Sequence, residues 1–163
     1  MNILAAIDFS DTSSKILDQA LTLAASLSAK VWLLHVAEPE PGFMNYTGGY
    51  ADYGAGFVDY GPDPKTRRRE IAESFRKEHR DLQKEAARLR SAGIETTALL
   101  IQGISPKVIL QEAKALEIDL IVIGSHGRGA MYHLLLGSIS AAVLKDTPCP
   151  VLVIPAHPGG KKN

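Results

Sequence analysis

Short apolar runs alternate with longer amphipathic segments along the whole chain of 163 residues. The apolar runs predict buried strands at residues 3–7, 31–36, 95–101, 119–123 and 151–154. The intervening segments carry apolar residues at helical spacing, with Ser10, Asp11 or Thr12 as the predicted cap of the first helix and Ser105 as that of the third. Strands that are apolar on both faces and separated by helices indicate one open parallel α/β sheet with helices on both sides.

A glycine-rich segment follows the fourth predicted strand. Gly124-Ser-His-Gly127 comes directly after that strand, and Gly137-Ser138 begins the next helix. Glycines at a strand exit let a ligand approach the backbone. A Gly-Ser pair at a helix start offers N–H groups, a hydroxyl and the positive end of the helix dipole to an anion. The pattern therefore predicts a phosphate-binding site that contains no catalytic residue.

Asp8 stands at the end of the first predicted strand. In an open parallel sheet, ligands bind beyond the carboxyl ends of the strands, where the strand order reverses. If strands one and four are neighbours at that point, Asp8 shares a crevice with the glycine-rich segment. Two interpretations of Asp8 stay open: it contacts a ligand or a bound Mg²⁺, or it only begins the turn into the first helix.

Charge and composition narrow the classes of partner. Lysine plus arginine and aspartate plus glutamate are equal at 18 each, and this balance argues against a nucleic-acid partner. The single Cys149 excludes an internal disulfide framework and a cysteine-based zinc site. No apolar run approaches the roughly 20 residues of a membrane helix, and the first residues lack the basic region of a signal peptide. We therefore expect a cytoplasmic protein that binds neither nucleic acid nor membrane.

Residues 40–64 interrupt the alternation of strands and helices with a stretch rich in glycine and tyrosine. A loop of this length inside a compact domain is usually functional or disordered. Exposed tyrosines suit a lid over a ligand or a surface for a protein partner. A third interpretation, an insertion with little role, stays open as well.

Several segments, taken in order, resemble the universal stress protein family. The spacing Gly124-x2-Gly127-x9-Gly137-Ser138 is similar to the ATP-binding signature of that family. Residues 3–10, 119–127 and 148–155 resemble its first strand and turn, its fourth strand and loop, and its last strand. The resemblance marks 1–155 as one nucleotide-binding domain with 40–64 as an insertion, and leaves 156–163 as a flexible tail.

The resemblance implies a Rossmann-like five-stranded sheet of order 3-2-1-4-5 and a homodimer that pairs through the last strand, Val151–Ile154. It also implies that ATP binds with Mg²⁺ or Mn²⁺, and that Asp8 faces the ribose–phosphate region or the metal. Val36 would hydrogen-bond adenine through its backbone, and Ala6 stands where ATP-binding members often carry proline. The other implied contacts are Ile123 and Gly124 near the ribose, Gly127 beside the phosphates, and Gly137, Ser138, Ile139 and Ser140 around the phosphate tail. Arg128 occupies a variable place in the glycine loop, and its charge suits a contact with a phosphate oxygen.

Three functions remain open after the sequence has been read. The favoured function is a nucleotide-dependent regulator or sensor in the stress response, which is not an enzyme. The alternatives are a slow ATP hydrolase and a protein-interaction module that works without nucleotide. The Gly-x4-Gly-Lys-Ser/Thr phosphate loop of many ATPases is absent from the sequence. We expect His126 to face solvent or to cap a carbonyl, and we expect His35 to be a hydrogen-bonded core residue.

Overall fold

The computed structural model describes residues 1–38, 63–126 and 136–156. The predicted strands and helices are all present in these ranges, each with boundaries close to those expected. The strands are β1 (Asn2–Ile7), β2 (Lys30–Ala37), β3 (Thr96–Gln102), β4 (Leu120–Gly124) and β5 (Val151–Ile154). The helices are α1 (Asp11–Leu27), α2 (Pro64–Ser91), α3 (Ser105–Ala115) and α4 (Ser138–Asp146). Most of the 40–64 insertion and the tail after residue 156 lie outside the described residues.

The five strands form one parallel sheet in the order β3-β2-β1-β4-β5, which confirms the predicted fold class. The chain builds outward from β1 to β2 and β3, then crosses back to β4 on the other side of β1. The order therefore reverses between β1 and β4, whose register pairs Ile3 with Leu120. The carboxyl ends of these two strands open the crevice in which this type of sheet binds ligands.

Alternate side chains of β1 enter the two halves of the core, as the strand period of two requires. Ile3, Ala5 and Ile7 pack with α1 and α2 on one face of the sheet, and Leu4 and Ala6 pack with α3 and α4 on the other. β1 is therefore covered on both faces up to its carboxyl end. Within the described residues, no helix combines the length and apolar character needed to cross a membrane.

The helix starts depart in part from the predicted caps. Ser10 is the N-cap of α1, but its side chain makes no capping hydrogen bond. Ile104 is the N-cap of α3, so the prediction that Ser105 caps this helix is wrong. The Ser105 hydroxyl instead donates to the Glu38 carboxylate at 2.7 Å, because the helix start packs against the exit of β2.

Asp63 caps α2 in the way that helix termini favour. Its carboxylate accepts hydrogen bonds from the backbone N–H groups of Lys65 at 2.8 Å and Thr66 at 3.2 Å, and from the Thr66 hydroxyl at 2.6 Å. The Thr66 hydroxyl, followed by the two N–H groups, holds the pKa of Asp63 below that of an ordinary aspartate. The charged carboxylate therefore fixes the point at which the chain re-enters regular structure after the insertion.

Candidate functional site

A half-open crevice lies at the carboxyl ends of β1, β2 and β4, against the first turns of α3 and α4. Its empty volume is about 500 Å³ when the part open to solvent is included. The lining consists of Ala6, Ile7, Asp8, Ile16, Leu34, Val36, Ser105, Ile109, Ile123, Gly124, His126, Ile139 and Ser140. The crevice is therefore mostly apolar, with its polar groups at the ends of β1 and β4 and at the two helix starts.

Most of the predicted site residues meet in this crevice. Asp8, Val36, Ile123, Gly124, Ile139 and Ser140 all belong to its lining. Gly137 and Ser138 sit at the start of α4, beside the lining residue Ile139. Gly127 and Arg128 lie outside the described residues, so their roles stay predictions.

Some lining residues, contributed by neighbouring strands and by α3, were not predicted from the sequence. Leu34 lies two residues before Val36 and therefore faces the same side of β2, so the strand period could have indicated it. Ser105 and Ile109 stand one helical turn apart on α3, and both reach the crevice. The position of α3 beside the crevice depends on tertiary packing, which local sequence patterns do not predict.

Asp8 holds the turn that leads into α1. Its Oδ1 atom accepts hydrogen bonds from the Ser10 backbone N–H at 3.0 Å and from the Ser13 hydroxyl at 3.2 Å. The turn passes through Phe9, whose φ of 59° lies in the left-handed region that non-glycine residues seldom adopt. The structural role considered for Asp8 is therefore present, and its carboxylate also lines the crevice.

A divalent cation at Asp8 would have to be held mainly by ligands other than protein carboxylates. The described residues contain no group of three or more His, Cys, Asp or Glu side chains arranged to hold a metal ion. Mg²⁺ with nucleotide phosphates commonly takes one or two carboxylates and completes its shell with phosphate oxygens and water. One lining carboxylate fits that mode of binding, in which the cation arrives with the nucleotide.

Among the described residues, no side chain caps the start of α4. Gly137 is its N-cap and makes no side-chain capping hydrogen bond, while the Ala141 N–H donates to the Gly137 carbonyl at 2.9 Å. The first N–H groups of a helix have no partner within the helix, and they carry the positive end of its dipole. An anion at this point would fill the role that a capping side chain usually fills.

Gly137 brings the start of α4 against the exit of β4. Its N–H donates to the Ser125 carbonyl at 2.7 Å, and a Cβ atom at Gly137 would lie only 3.1 Å from that carbonyl oxygen. The Gly137 backbone is extended, so the requirement for glycine here comes from close approach rather than from an unusual φ. A larger residue would move the helix start away from the crevice.

Ser140 joins the same two elements through its side chain. Its buried hydroxyl donates to the Gly124 carbonyl at 2.6 Å. The hydroxyl proton is therefore engaged, and the predicted contact of Ser140 with a phosphate would come from its backbone N–H. By contrast, Ser138 is exposed at the start of the same helix, where its hydroxyl is accessible.

His126 differs from its expected place. It lines the crevice, and its Nε2 atom is buried rather than directed to solvent. Its Nδ1 atom lies 3.0 Å from the Ser125 hydroxyl oxygen, so the ring does not cap a carbonyl through that atom. The expectation for His126 was wrong because the chain turns inward after β4 to meet the segment that follows β5.

His35 is a hydrogen-bonded core residue, as predicted. Its Nδ1 lies 2.8 Å from the Ile7 carbonyl oxygen, and since a carbonyl only accepts, Nδ1 carries the proton. Its Nε2 lies 3.7 Å from a carboxylate oxygen of Glu78, and the Phe9 ring packs at 4.5 Å between centroids. These contacts brace the ends of β1 and β2 from the face opposite the crevice.

Cys149 is the chain's one thiol, and it is half-buried before β5. Burial raises the pKa of this thiol, and a hydrogen bond with Thr147 offsets part of the rise. A thiol with a raised pKa carries little thiolate at neutral pH and is a poor nucleophile. The chemistry of Cys149 is in keeping with the structural role that the sequence predicts.

Solved structures with the same fold cover nearly the whole chain. The structure of protein MJ0577 of Methanocaldococcus jannaschii matches with a TM-score of 0.74 at 24% identity, over 96% of each chain. A universal stress protein family protein from Arabidopsis thaliana with AMP bound has a TM-score of 0.64 at 20% identity, over 97% of this chain and 93% of that one. A universal stress protein in complex with cAMP has a TM-score of 0.60 at 20% identity, over 94% and 95%. At these identities the likeness shows the shared fold.

Two relatives found by sequence comparison share a higher identity with this chain than these solved structures do. A Thermus aquaticus protein described as the universal stress protein in the QAH/OAS sulfhydrylase 3' region is 35% identical over 152 residues, which span 93% of this chain and 96% of that protein. The universal stress protein YxiE of Bacillus subtilis is 30% identical over 153 residues, 93% and 97% of the two chains. The model of the universal stress protein family matches residues 1–155, and the chain therefore belongs to that family.

Proposed function

We propose that this universal stress protein binds ATP in the crevice between β1 and β4 and acts as a nucleotide-dependent regulator. The observation that carries the proposal is the uncapped start of α4, which sits beside a mostly apolar crevice. Uncapped N–H groups and a helix dipole suit phosphates, and an apolar slot suits a flat base. A nucleotide has both an anionic phosphate group and a flat, largely apolar base.

The two ends of the nucleotide would lie at different elements. The adenine would occupy the apolar end, between Val36 on β2 and Ile109 on α3, with the Val36 backbone offering hydrogen bonds. The phosphates would lie at the start of α4, where the N–H groups of Ser138 and Ile139 would donate hydrogen bonds to phosphate oxygens. Asp8 would meet the ribose–phosphate region, or a Mg²⁺ or Mn²⁺ ion carried by the phosphates.

We propose binding rather than turnover as the main role. The ionisable side chains of the described lining are Asp8 and His126. Asp8 already accepts hydrogen bonds from the turn into α1, and a general base for hydrolysis must be free to take a proton from water. A slow ATP hydrolase remains the alternative, and phosphate release that depends on the crevice would favour it.

The first test places a large side chain in the crevice and compares the ATP affinity of this variant with that of a variant carrying the same substitution just outside the crevice. Val36 and Ile101 are paired in the β2–β3 register and lie on the same face, but only Val36 lines the crevice. We expect Val36→Trp to weaken ATP binding by about tenfold or more in isothermal titration calorimetry, because the indole takes ligand volume. We expect Ile101→Trp to bind as the wild type does.

Mass spectrometry of the denatured, purified protein identifies any nucleotide that it carries. Co-purified ATP supports the regulator, whereas ADP or AMP favours the hydrolase, and competition among ATP, AMP and cAMP then ranks the ligands. A wild-type protein that neither carries a nucleotide nor binds ATP in calorimetry refutes the proposed function. That result would favour the interaction module that works without nucleotide.

We also propose that two copies pair through β5. This strand forms an edge of the sheet, and Val151, Leu152 and Val153 are only half-buried in a single copy. An open edge with apolar side chains favours pairing with a second strand, and a two-fold dimer provides it. Light scattering that gives the mass of a monomer at micromolar concentration would contradict this proposal.

Two further parts of the functional hypothesis rest on the sequence alone. Residues 40–64 follow the exit of β2, at the sheet edge that holds the crevice, and stay a candidate lid or surface for a protein partner. A cytoplasmic location and the absence of a nucleic-acid partner are likewise predictions from composition.

A further inference from the structure

One side chain in the crevice has hydrogen-bonding capacity that the described structure leaves unused. The Nε2 atom of His126 is buried and has no hydrogen-bond partner within residues 1–38, 63–126 and 136–156. The ring belongs to the lining of the crevice. A buried polar atom without a partner is costly, and such atoms in native proteins often mark a ligand or an ordered water.

The hydrogen bonds around Ser125 favour one tautomer of the His126 ring. The backbone N–H of Ala156 donates to the Ser125 hydroxyl oxygen at 2.9 Å. The same hydroxyl lies 3.0 Å from His126 Nδ1, and this ring nitrogen is the acceptor available for the hydroxyl proton. A hydroxyl has one proton and two lone pairs, and one lone pair already accepts from Ala156. Among the described residues, Nδ1 is the acceptor within reach of the hydroxyl proton, and in that arrangement the neutral ring carries its proton on Nε2.

We propose that His126 donates a hydrogen bond from Nε2 to a phosphate oxygen of the bound nucleotide, and that Ser125 is the positioning residue that fixes this tautomer. The proposal rests on the proposed function and adds a specific side-chain contact to it. The donor is in place before the ligand arrives, because Ala156 and Ser125 orient the ring in the ligand-free protein. An acceptor atom of the ligand then completes the network at Nε2.

The phosphates are the part of the ligand that this ring reaches. A Cβ atom at Gly137 would lie 3.9 Å from His126 Cδ2, the ring carbon bonded to Nε2. The Nε2 edge of the ring therefore lies beside the N-cap of α4, whose first N–H groups have no side-chain cap. A phosphate at the helix start would accept from these N–H groups and from His126 together.

The arrangement also connects the ligand to the end of β5. Ala156 follows β5 by two residues, and its N–H is what orients the Ser125 hydroxyl. The Ser125 N–H in turn donates to the Ile154 carbonyl at 2.7 Å. The donor state of His126 therefore depends on the position of the chain that leaves the edge strand.

The tautomer can be measured without any nucleotide. In ¹⁵N-histidine-labelled wild-type protein, we expect long-range ¹H–¹⁵N spectra of the neutral ring to show His126 protonated at Nε2. In Ser125→Ala the hydroxyl donor is lost, and we expect the ring to shift toward the Nδ1-protonated form. A wild-type ring protonated at Nδ1 overturns the proposal, whether or not the protein binds ATP.

A pair of amide variants then tests the contact with ligand. A glutamine amide nitrogen can take the place of Nε2, whereas an asparagine amide reaches only the place of Nδ1. We expect His126→Gln to keep ATP affinity near that of the wild type, and His126→Asn to lose about tenfold, the effect of a hydrogen bond to a charged group. Equal affinity of the wild type and His126→Asn overturns the proposal. Failure of the wild type itself to bind ATP refutes the proposed function instead, and leaves the tautomer result to be judged separately.

Discussion

Replacing Ser140 with alanine tests how the start of α4 is attached to the sheet. The Ser140 hydroxyl donates to the Gly124 carbonyl at 2.6 Å, and the residue is only 3% exposed. A hydrogen bond of this kind contributes about 1 kcal/mol net, and leaving a buried acceptor without it costs about 1–3 kcal/mol. We therefore expect Ser140→Ala to lower the free energy of unfolding by about 2 kcal/mol.

The assay is urea and thermal unfolding followed by far-ultraviolet circular dichroism. For a protein of this size, a loss of about 2 kcal/mol corresponds to a fall in Tm of about 4–8 °C. Ser138→Ala is the matched control, because Ser138 lies in the same helical turn but is exposed. We expect its unfolding free energy to stay within about 0.5 kcal/mol of the wild type.

The two serine variants should separate stability from ligand binding. Ser138→Ala removes an accessible hydroxyl at the proposed phosphate position, so we expect weaker ATP binding with unchanged stability. If Ser140→Ala proves as stable as Ser138→Ala, the hydrogen bond to Gly124 does not hold the helix start. Contacts other than this hydrogen bond would then position the start of α4.

Three further outcomes follow from other contacts. Asp63→Ala should lower the Tm, because it removes the cap of α2. The pKa of Asp63 is depressed in the folded state, so the Tm difference between wild type and variant should be fully present above the ordinary aspartate pKa. It should disappear as the pH falls through the depressed pKa. Ellman's reagent should react with Cys149 more slowly in the folded than in the urea-unfolded protein at the same pH, since burial raises its pKa; equal rates would contradict this. Gly137→Val should weaken ATP binding by about tenfold or more, because its Cβ would lie 3.1 Å from the Ser125 carbonyl oxygen; unchanged calorimetric affinity would show that the helix start tolerates the displacement.

The sequence predicts the strands well because each contains a short apolar run, and the inner strands β1, β2 and β4 are mostly buried. The helix starts are harder to predict, as Ser105 shows. Its residue type and the following proline are typical of a cap, yet its hydroxyl bonds to Glu38, which lies 67 positions away in the sequence. A local sequence pattern does not show whether the Ser105 hydroxyl will cap its helix or bond to a residue so distant in the sequence.

The difference between local patterns and long-range contacts also explains which crevice residues could be predicted from the sequence. Asp8, Val36 and Gly124 stand at strand ends, and the sheet topology alone brings strand ends together. The place of His126 depends on Ser125 and on Ala156, which lies 31 positions beyond Ser125. No spacing within the glycine-rich segment contains that information, so the sequence predicted several residues that meet in the crevice and misplaced the histidine beside them.

The close contact between Gly137 and the Ser125 carbonyl has a consequence for mutagenesis of this family. At the start of α4 the groups argued to matter are main-chain N–H groups and the Gly137 backbone, which truncation to alanine leaves in place. An alanine scan would therefore detect few of these positions and would understate their importance. Substitutions that add volume, such as glycine to valine, are the appropriate way to map a binding surface built from backbone.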